Sequence, residues 1–252
     1  MAFSTPSNES QQFLDIGCGT GDFTLECILP TCNPRRRIVV IDYSESMLKH
    51  ARENHSSENI LYEYLDINND VVGFLKKNGT FQRVYSFKTL QWSQDLRCAL
   101  SNIADLLLPG GECLLYFFAR NFLKESFKHL SRMKRWSKYV DVLLGGIPQS
   151  HDIIDPKGQH GYLSAALSSA GLIPYTAEVL VSPHIAGIPG ASYEGFFEIA
   201  NLSYSPLSEN EKSDFLETLS THLPDWQNLY RKKSGPVMWS AFLVHARKPE
   251  TS

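Results

Sequence analysis

The stretch Leu14-Asp15-Ile16-Gly17-Cys18-Gly19-Thr20-Gly21 sets three glycines at alternate positions behind an acid and an apolar run. A strand that ends in such a turn and continues as a helix can be a nucleotide site, the alternative being glycines that merely close a tight turn. Glycine lets the chain turn sharply, and the missing side chain lets a ligand lie against the backbone. Dinucleotide enzymes place a further glycine at G-x-G-x-x-G to pack the helix on the strand; Asp22 holds that position here. The offset argues against NAD and FAD. Asp42 stands 21 positions past Gly21, at the end of the next apolar run. A carboxylate there can accept hydrogen bonds from both hydroxyls of a ribose. Tyr43 follows it, placed either to lie against a base or to stand exposed on the turn.

Other chemistries lack their residues. The cysteines Cys18, Cys27, Cys32, Cys98 and Cys113 are scattered without the spacing of a zinc site, so no metal is expected. His151, His160 and His184 lie beside glycines and prolines with no HExxH spacing, and no G-x-S-x-G elbow supports a hydrolase. Arg35-Arg36-Arg37 reads as a solvated loop. The cations of Lys124–Lys138 read as a solvated helix face, with an anionic surface or a carboxylate as the alternative partner.

The elements that must position the turn alternate along the chain. Strands are expected at Phe13–Ile16, Ile38–Ile41, Ile60–Leu65, Phe81–Phe87 and Glu112–Phe118. Helices are expected at Phe23–Leu29, Ser46–Asn54 and Leu96–Leu107, with Pro109-Gly110-Gly111 as a turn. The run Ile38–Ile41 is wholly β-branched, as in a strand covered on both faces. This alternation predicts an α/β fold with a mainly parallel sheet. After Ala119 the pattern predicts one long helix over Phe122–Leu144 and a short one over Ser164–Ala170. Strands at Thr176–Ser182 and Met238–Arg247 follow, with helical stretches around Tyr193–Leu202 and Glu209–Leu223. The 252 residues, 42% hydrophobic and 20% charged, fit a single domain over 1–252. A net charge of −3 gives no general attraction to nucleic acid. The polar N-terminus, the unpaired thiols and the lack of any run of roughly 18 apolar residues predict a cytoplasmic protein with no membrane span.

The segment Leu14–Gly21 resembles motif I of the class I S-adenosylmethionine-dependent methyltransferases. The resemblance implies a Rossmann-like fold, a mainly parallel seven-stranded sheet flanked by helices, and S-adenosylmethionine as cofactor. By resemblance, Asp15 holds the amino group of the ligand, and the backbone of Gly17, Cys18 and Gly19 lies against its methionine part. Asp66, at the end of the third strand, accepts from the adenine amino group, while the amide of Ile67 meets the ring; a helix cap is the other reading of Asp66. Val84-Tyr85-Ser86-Phe87 becomes the strand end nearest the transferred methyl, with Ser86 beside the ligand. It lacks the Asn- or Asp-Pro-Pro-Tyr signature of amino-group and adenine methyltransferases, which turns the expectation toward oxygen or carbon acceptors.

Val84-Tyr85-Ser86-Phe87-Lys88-Thr89-Leu90-Gln91-Trp92, continued by Asn102–Leu115, is more closely similar to the juvenile hormone acid O-methyltransferase group of arthropods. There a Leu-His-Trp segment follows the fourth strand; Trp92 matches its tryptophan and Gln91 takes the place of its histidine. The similarity runs from Phe13 to about Lys248, strong in the donor half (13–118) and thin in the acceptor half (119–252). It implies a small carboxylic acid with an apolar tail, farnesoic or juvenile-hormone-like, as acceptor, positioned by Trp92. Phe118, Phe122, Trp136 and Phe197 are further candidates for the pocket, with core packing their expected role. Members of the group carry a longer covering segment ahead of the glycine turn, whereas 13 residues precede Leu14 here. Either that cover is missing, or the 122–144 stretch does more of the covering. Another small-molecule acceptor, or a binding protein without catalysis, are the alternatives.

Overall fold

Strands built from the apolar runs of the first 120 residues lie side by side because both of their faces find partners. The computed structural model describes residues 3, 6–120, 122–145, 147–182, 207–234 and 239–250. The strands are β1 (Gln12–Ile16), β2 (Arg37–Asp42), β3 (Ile60–Tyr64), β4 (Phe81–Phe87), β5 (Leu107–Arg120), β6 (Ile173–Ser182) and β7 (Trp239–Arg247). They form one seven-stranded sheet in the order β3-β2-β1-β4-β5-β7-β6. The pairs β1–β2, β2–β3, β1–β4 and β4–β5 are parallel. Between β5 and β7, Gly110 and Gly111 bond Lys248 while Glu112 meets His245. Partner numbers fall as strand numbers rise, so β7 runs antiparallel.

The described helices are α1 (residues 22–31), α2 (Glu45–Asn54), α3 (Val72–Asn78), α4 (Leu96–Leu106), α5 (Phe122–Ser131), α6 (Val140–Gly145), α7 (Pro156–Ser169) and α8 (Glu209–Ser234). Of these, α1, α2, α3, α4 and α7 cover the parallel strands. Leu14, Ile16, Val39 and Ile41 share one core with Leu100 and Ile103 of α4 and Leu163 and Leu167 of α7. Phe13, Ile38, Val40 and Tyr85 share the other with Ile28 of α1 and Leu48 and Ala51 of α2. This two-sided burial is why the strands read as continuous apolar runs. From β1 the chain steps outward to β2 and β3, then returns to place β4 on the other side of β1. That reversal opens a crevice at the carboxyl ends of β1 and β4, where α/β sheets hold ligands.

Several expected boundaries move. The 122–144 stretch is not one helix: α5 ends at Ser131, Lys134–Tyr139 forms a 3-10 turn, and α6 follows. Met133 is extended at the break (φ −83°, ψ 128°), and the turn buries Trp136 edge-on to Phe215, ring centres 5.3 Å apart. The helix expected at Ser164–Ala170 starts eight residues earlier, at Pro156. Asp155 caps it by accepting from the Gly158 amide at 2.6 Å, and proline suits the first helical position. Pro109-Gly110-Gly111 is not a turn between elements but an irregularity inside β5. Phe81 pairs with Leu107 and Arg83 with Glu112, so five steps on β5 oppose two on β4. The helix expected at Glu209–Leu223 continues through Pro224 to Ser234, and α3 had no counterpart in the sequence reading. Tyr193–Leu202, Phe197 and His184 lie outside the described residues, as does the side chain of Phe122.

Two compact units result: one of 1–119, 148–180 and 241–252, the other of 120–147 and 181–240. The second buries Phe127, Leu130, Trp136, Leu143, Phe215, Leu219 and Trp226, with surface ion pairs Lys138–Glu211 and Arg135–Asp214. Among the described residues, no helix is long and apolar enough to cross a membrane, and no group of three His, Cys, Asp or Glu could hold a metal.

Candidate functional site

The glycine turn leaves β1 at the crevice and is fastened to its neighbours by backbone groups. Gly17 and Cys18 donate their amides to the Ile41 carbonyl at the end of β2, at 2.7 and 3.2 Å. Gly17 and Gly19 both take positive φ, +77° and +55°, where a side chain is costly. Their surroundings differ. A Cβ on Gly17 would stand 2.1 Å from the Thr89 Cγ2, whereas one on Gly19 would meet nothing within 4 Å. Gly17 is therefore required by the protein's own packing, and Gly19 faces open space.

Two buried carboxylates flank this turn. Asp15, 3% exposed, accepts from the Thr24 hydroxyl of α1 at 2.5 Å. Burial pushes its pKa up to about 7, and the nearby Asp42 carboxylate adds to the rise. Asp42 accepts from the Gly19 amide on Oδ2 and from the Ser44 amide on Oδ1, each at 2.9 Å. Burial raises its pKa too, and those amides oppose the rise. Each carboxylate oxygen has a second lone pair, so both keep acceptor capacity. Cys18 Sγ lies 3.6 Å from the Gly19 carbonyl. Burial, with Asp42 and Asp15 nearby, lifts its pKa, the opposite of what a nucleophilic thiolate needs. Tyr43 is 49% exposed next to Asp42.

Asp66 lies two residues beyond β3, half-buried. Its Oδ1 accepts from both the backbone amide and the side-chain Nδ2 of Asn68, at 2.9 and 2.8 Å. Ile67 is buried in the core and its carbonyl accepts from Asn102. Ser86 is wholly buried, its hydroxyl donating to the Ile16 carbonyl at 3.2 Å. Trp92 is half-buried in a 3-10 turn, Leu90–Trp92. The structure thus gathers Asp15, Gly17, Cys18, Gly19 and Asp42 about one turn, with Asp42 bonded to Gly19 and Asp15 to Thr24, and Ser86 ties the β4 end to β1. Asp66 reaches the Trp92 turn through Asn68, whose Oδ1 accepts from Ser93 at 2.5 Å.

Thr24, Thr89 and Asn68 escaped the sequence reading. Thr89 donates to the Gly17 carbonyl at 3.0 Å across 72 positions, and a hydroxyl residue gives no local sign of such a contact. Of the histidines, His151 is buried in a turn at Gln149–Asp152 and His160 sits in α7. Chemically, two buried carboxylates beside an open-faced glycine turn suit a ligand that carries an ammonium and vicinal hydroxyls.

Residues 13–111 match a family profile described as a methyltransferase domain. The chain is 34% identical over 146 residues to the juvenile hormone acid O-methyltransferase of Bombyx mori, covering 57% of this chain and 51% of that one. It is 30% identical over 175 residues to the Drosophila melanogaster protein of the same name, covering 69% and 58%. The aligned part thus spans little more than half the length of these curated relatives. Its fold is similar to phosphoethanolamine N-methyltransferase 2 of Haemonchus contortus, solved with S-adenosyl-L-methionine. That likeness has a TM-score of 0.54 at 18% identity and covers 98% of this chain and 50% of that one. Residues 13–111 thus match a methyltransferase domain, in a chain with the Rossmann-like fold of the class I S-adenosylmethionine-dependent methyltransferases.

Proposed function

We propose that the chain transfers a methyl group from S-adenosylmethionine to the carboxylate of a small apolar acid of the farnesoic type. The observation that carries the donor half is the pair of buried carboxylates, Asp15 and Asp42, beside the open-faced Gly19, whose amide Asp42 holds. When bound there, S-adenosylmethionine supplies a methyl on a positively charged sulfur. In this reading Asp15 ionises toward the ligand's ammonium, and the backbone of Gly17, Cys18 and Gly19 lies along its amino-acid part. Asp42 accepts from the ribose hydroxyls, with Tyr43 beside the base. Asp66 and the Ile67 amide take the adenine edge, and Ser86 holds the β1 and β4 ends together beneath the ligand.

The acceptor half rests on the similarity to the juvenile hormone acid O-methyltransferases and on Trp92, which would orient the acid. A carboxylate is ionised near pH 7 and needs no general base. The protein's task is orientation and exclusion of water between opposite charges. The five free cysteines fit a reducing, cytoplasmic setting.

The test is a labelled-methyl transfer screen over farnesoic acid and straight-chain fatty acids, with calorimetry of S-adenosylhomocysteine alongside. Ester formation on an apolar acid is expected. Tight product binding without transfer to any acid would overturn the acceptor, and no binding would overturn the donor site.

A further inference from the structure

The segment leaving β4 is pinned at three points, and one pin stands apart from the donor residues. Lys88 is the one non-glycine with positive φ among the described residues, at +56°, a conformation that persists only where the surroundings enforce it. Its amide donates to the Tyr116 carbonyl of β5 at 2.7 Å. Its carbonyl accepts from the side-chain Nε2 of Gln91, whose Oε1 accepts from the Phe118 amide at 3.4 Å. Gln91 is 5% exposed, so both ends of a buried amide are used in bridging the β4 exit to β5.

The other two pins face the donor. Thr89 bonds the carbonyl of Gly17, and Ser93 bonds Asn68, which holds Asp66. Trp92 lies between Gln91 and Ser93 in the same short turn, its amide donating to the Thr89 carbonyl at 2.9 Å.

We propose that Gln91 is a positioning residue for the acceptor: its amide, spanning Lys88 and Phe118, fixes the turn that presents Trp92. The assignment rests on the methyl-transfer reading above and adds a residue that acts through another. A side chain of the same reach without polar ends breaks the bridge between the Lys88 carbonyl and the Phe118 amide, and it loosens the turn's hold on β5 to the bond of the Lys88 amide with Tyr116, while the donor-side pins stay. A neutral imidazole has one donor and one acceptor and can restore the bridge.

The experiment compares Gln91→Met and Gln91→His with the full wild-type chain. Turnover of farnesoic acid, S-adenosylhomocysteine affinity, and acrylamide quenching of Trp92 (by difference from matched Trp92→Phe variants) are read in each. For Gln91→Met, acceptor kcat/KM should fall roughly tenfold to a hundredfold, product affinity should stay within about twofold, and Trp92 should quench more readily; Gln91→His should recover most of the loss. A product affinity that falls in step with turnover would overturn the assignment, as would unchanged Trp92 quenching. If the wild type methylates no acid, the function proposed above fails, and the Trp92 quenching alone decides whether Gln91 holds the turn.

Discussion

Gly17 and Gly19 carry the same backbone signature and should fail in different ways when given a methyl group. In Gly17→Ala the new Cβ falls 2.1 Å from Thr89 Cγ2 and 2.2 Å from its Oγ1. Left-handed backbone costs an alanine about 1–2 kcal/mol, and forcing the close-packed neighbours apart adds about 1–3. If Thr89 swings away, its bond to the Gly17 carbonyl is lost, for about 1 more. The total is about 3–6 kcal/mol, or roughly 10 °C in Tm for a chain of this size. Gly19→Ala meets nothing within 4 Å, so only the backbone cost of about 1–2 kcal/mol applies. Its methyl instead stands where the donor is proposed to lie, and S-adenosylhomocysteine binding should weaken more than about tenfold, or about 1.4 kcal/mol. Urea unfolding and calorimetry on both variants separate the two effects. Thr89→Ala removes two of the three atoms nearest the Gly17 methyl, so the double variant should recover part of the loss, a coupling readable in a double-mutant cycle. Equal destabilisation by both alanines, or full binding by Gly19→Ala, would refute the reasoning.

Asp15 should make stability depend on pH with an unusual sign. Its folded pKa of about 7 lies above the ordinary 3.8, so the folded chain keeps a proton that the unfolded chain has released. Stability then falls as pH rises from about 4 to about 7 and levels beyond. Asp15→Asn should remove this slope, gaining on the wild type by up to on the order of 4 kcal/mol across the window; a constant gap in urea midpoints from pH 4 to 8 would sink the idea. Ligand binding through an ammonium should also release a proton below pH 7, seen as a buffer-dependent enthalpy. Asp42→Ala should weaken S-adenosylhomocysteine by roughly 1–3 kcal/mol, and unchanged affinity by calorimetry would remove Asp42 from the site.

What the sequence discloses is what short-range chemistry writes into it. The β-branched run at Ile38–Ile41 marks a strand covered on both faces, and the glycine spacing with Asp42 marks a tight turn that Asp42 holds by the Gly19 amide. Those features depend on residues within one βαβ unit. The position of β7 between β5 and β6 leaves no local trace, because its contact with β5, Glu112 to His245, spans 133 positions. The start of α7 is obscured by Lys157-Gly158-Gln159-His160-Gly161, which is polar and glycine-rich, although Asp155-Pro156 is a capping signal in plain view. The break at Met133 follows from burying Trp136 among residues of α8, which helical periodicity over 122–144 does not register. Thr24 and Thr89 became visible only when their bonds to Asp15 and Gly17 did.

The Asp42 carboxylate holds the amides of both Gly19 and Ser44. One side chain thereby ties the glycine turn and the entry to α2 into a single preorganised unit. The entropy of ordering these loops is met during folding and does not weigh against association. The donor proposed for this turn would find its mould already set, and its affinity would reflect the contacts it makes and not the shaping of the loops.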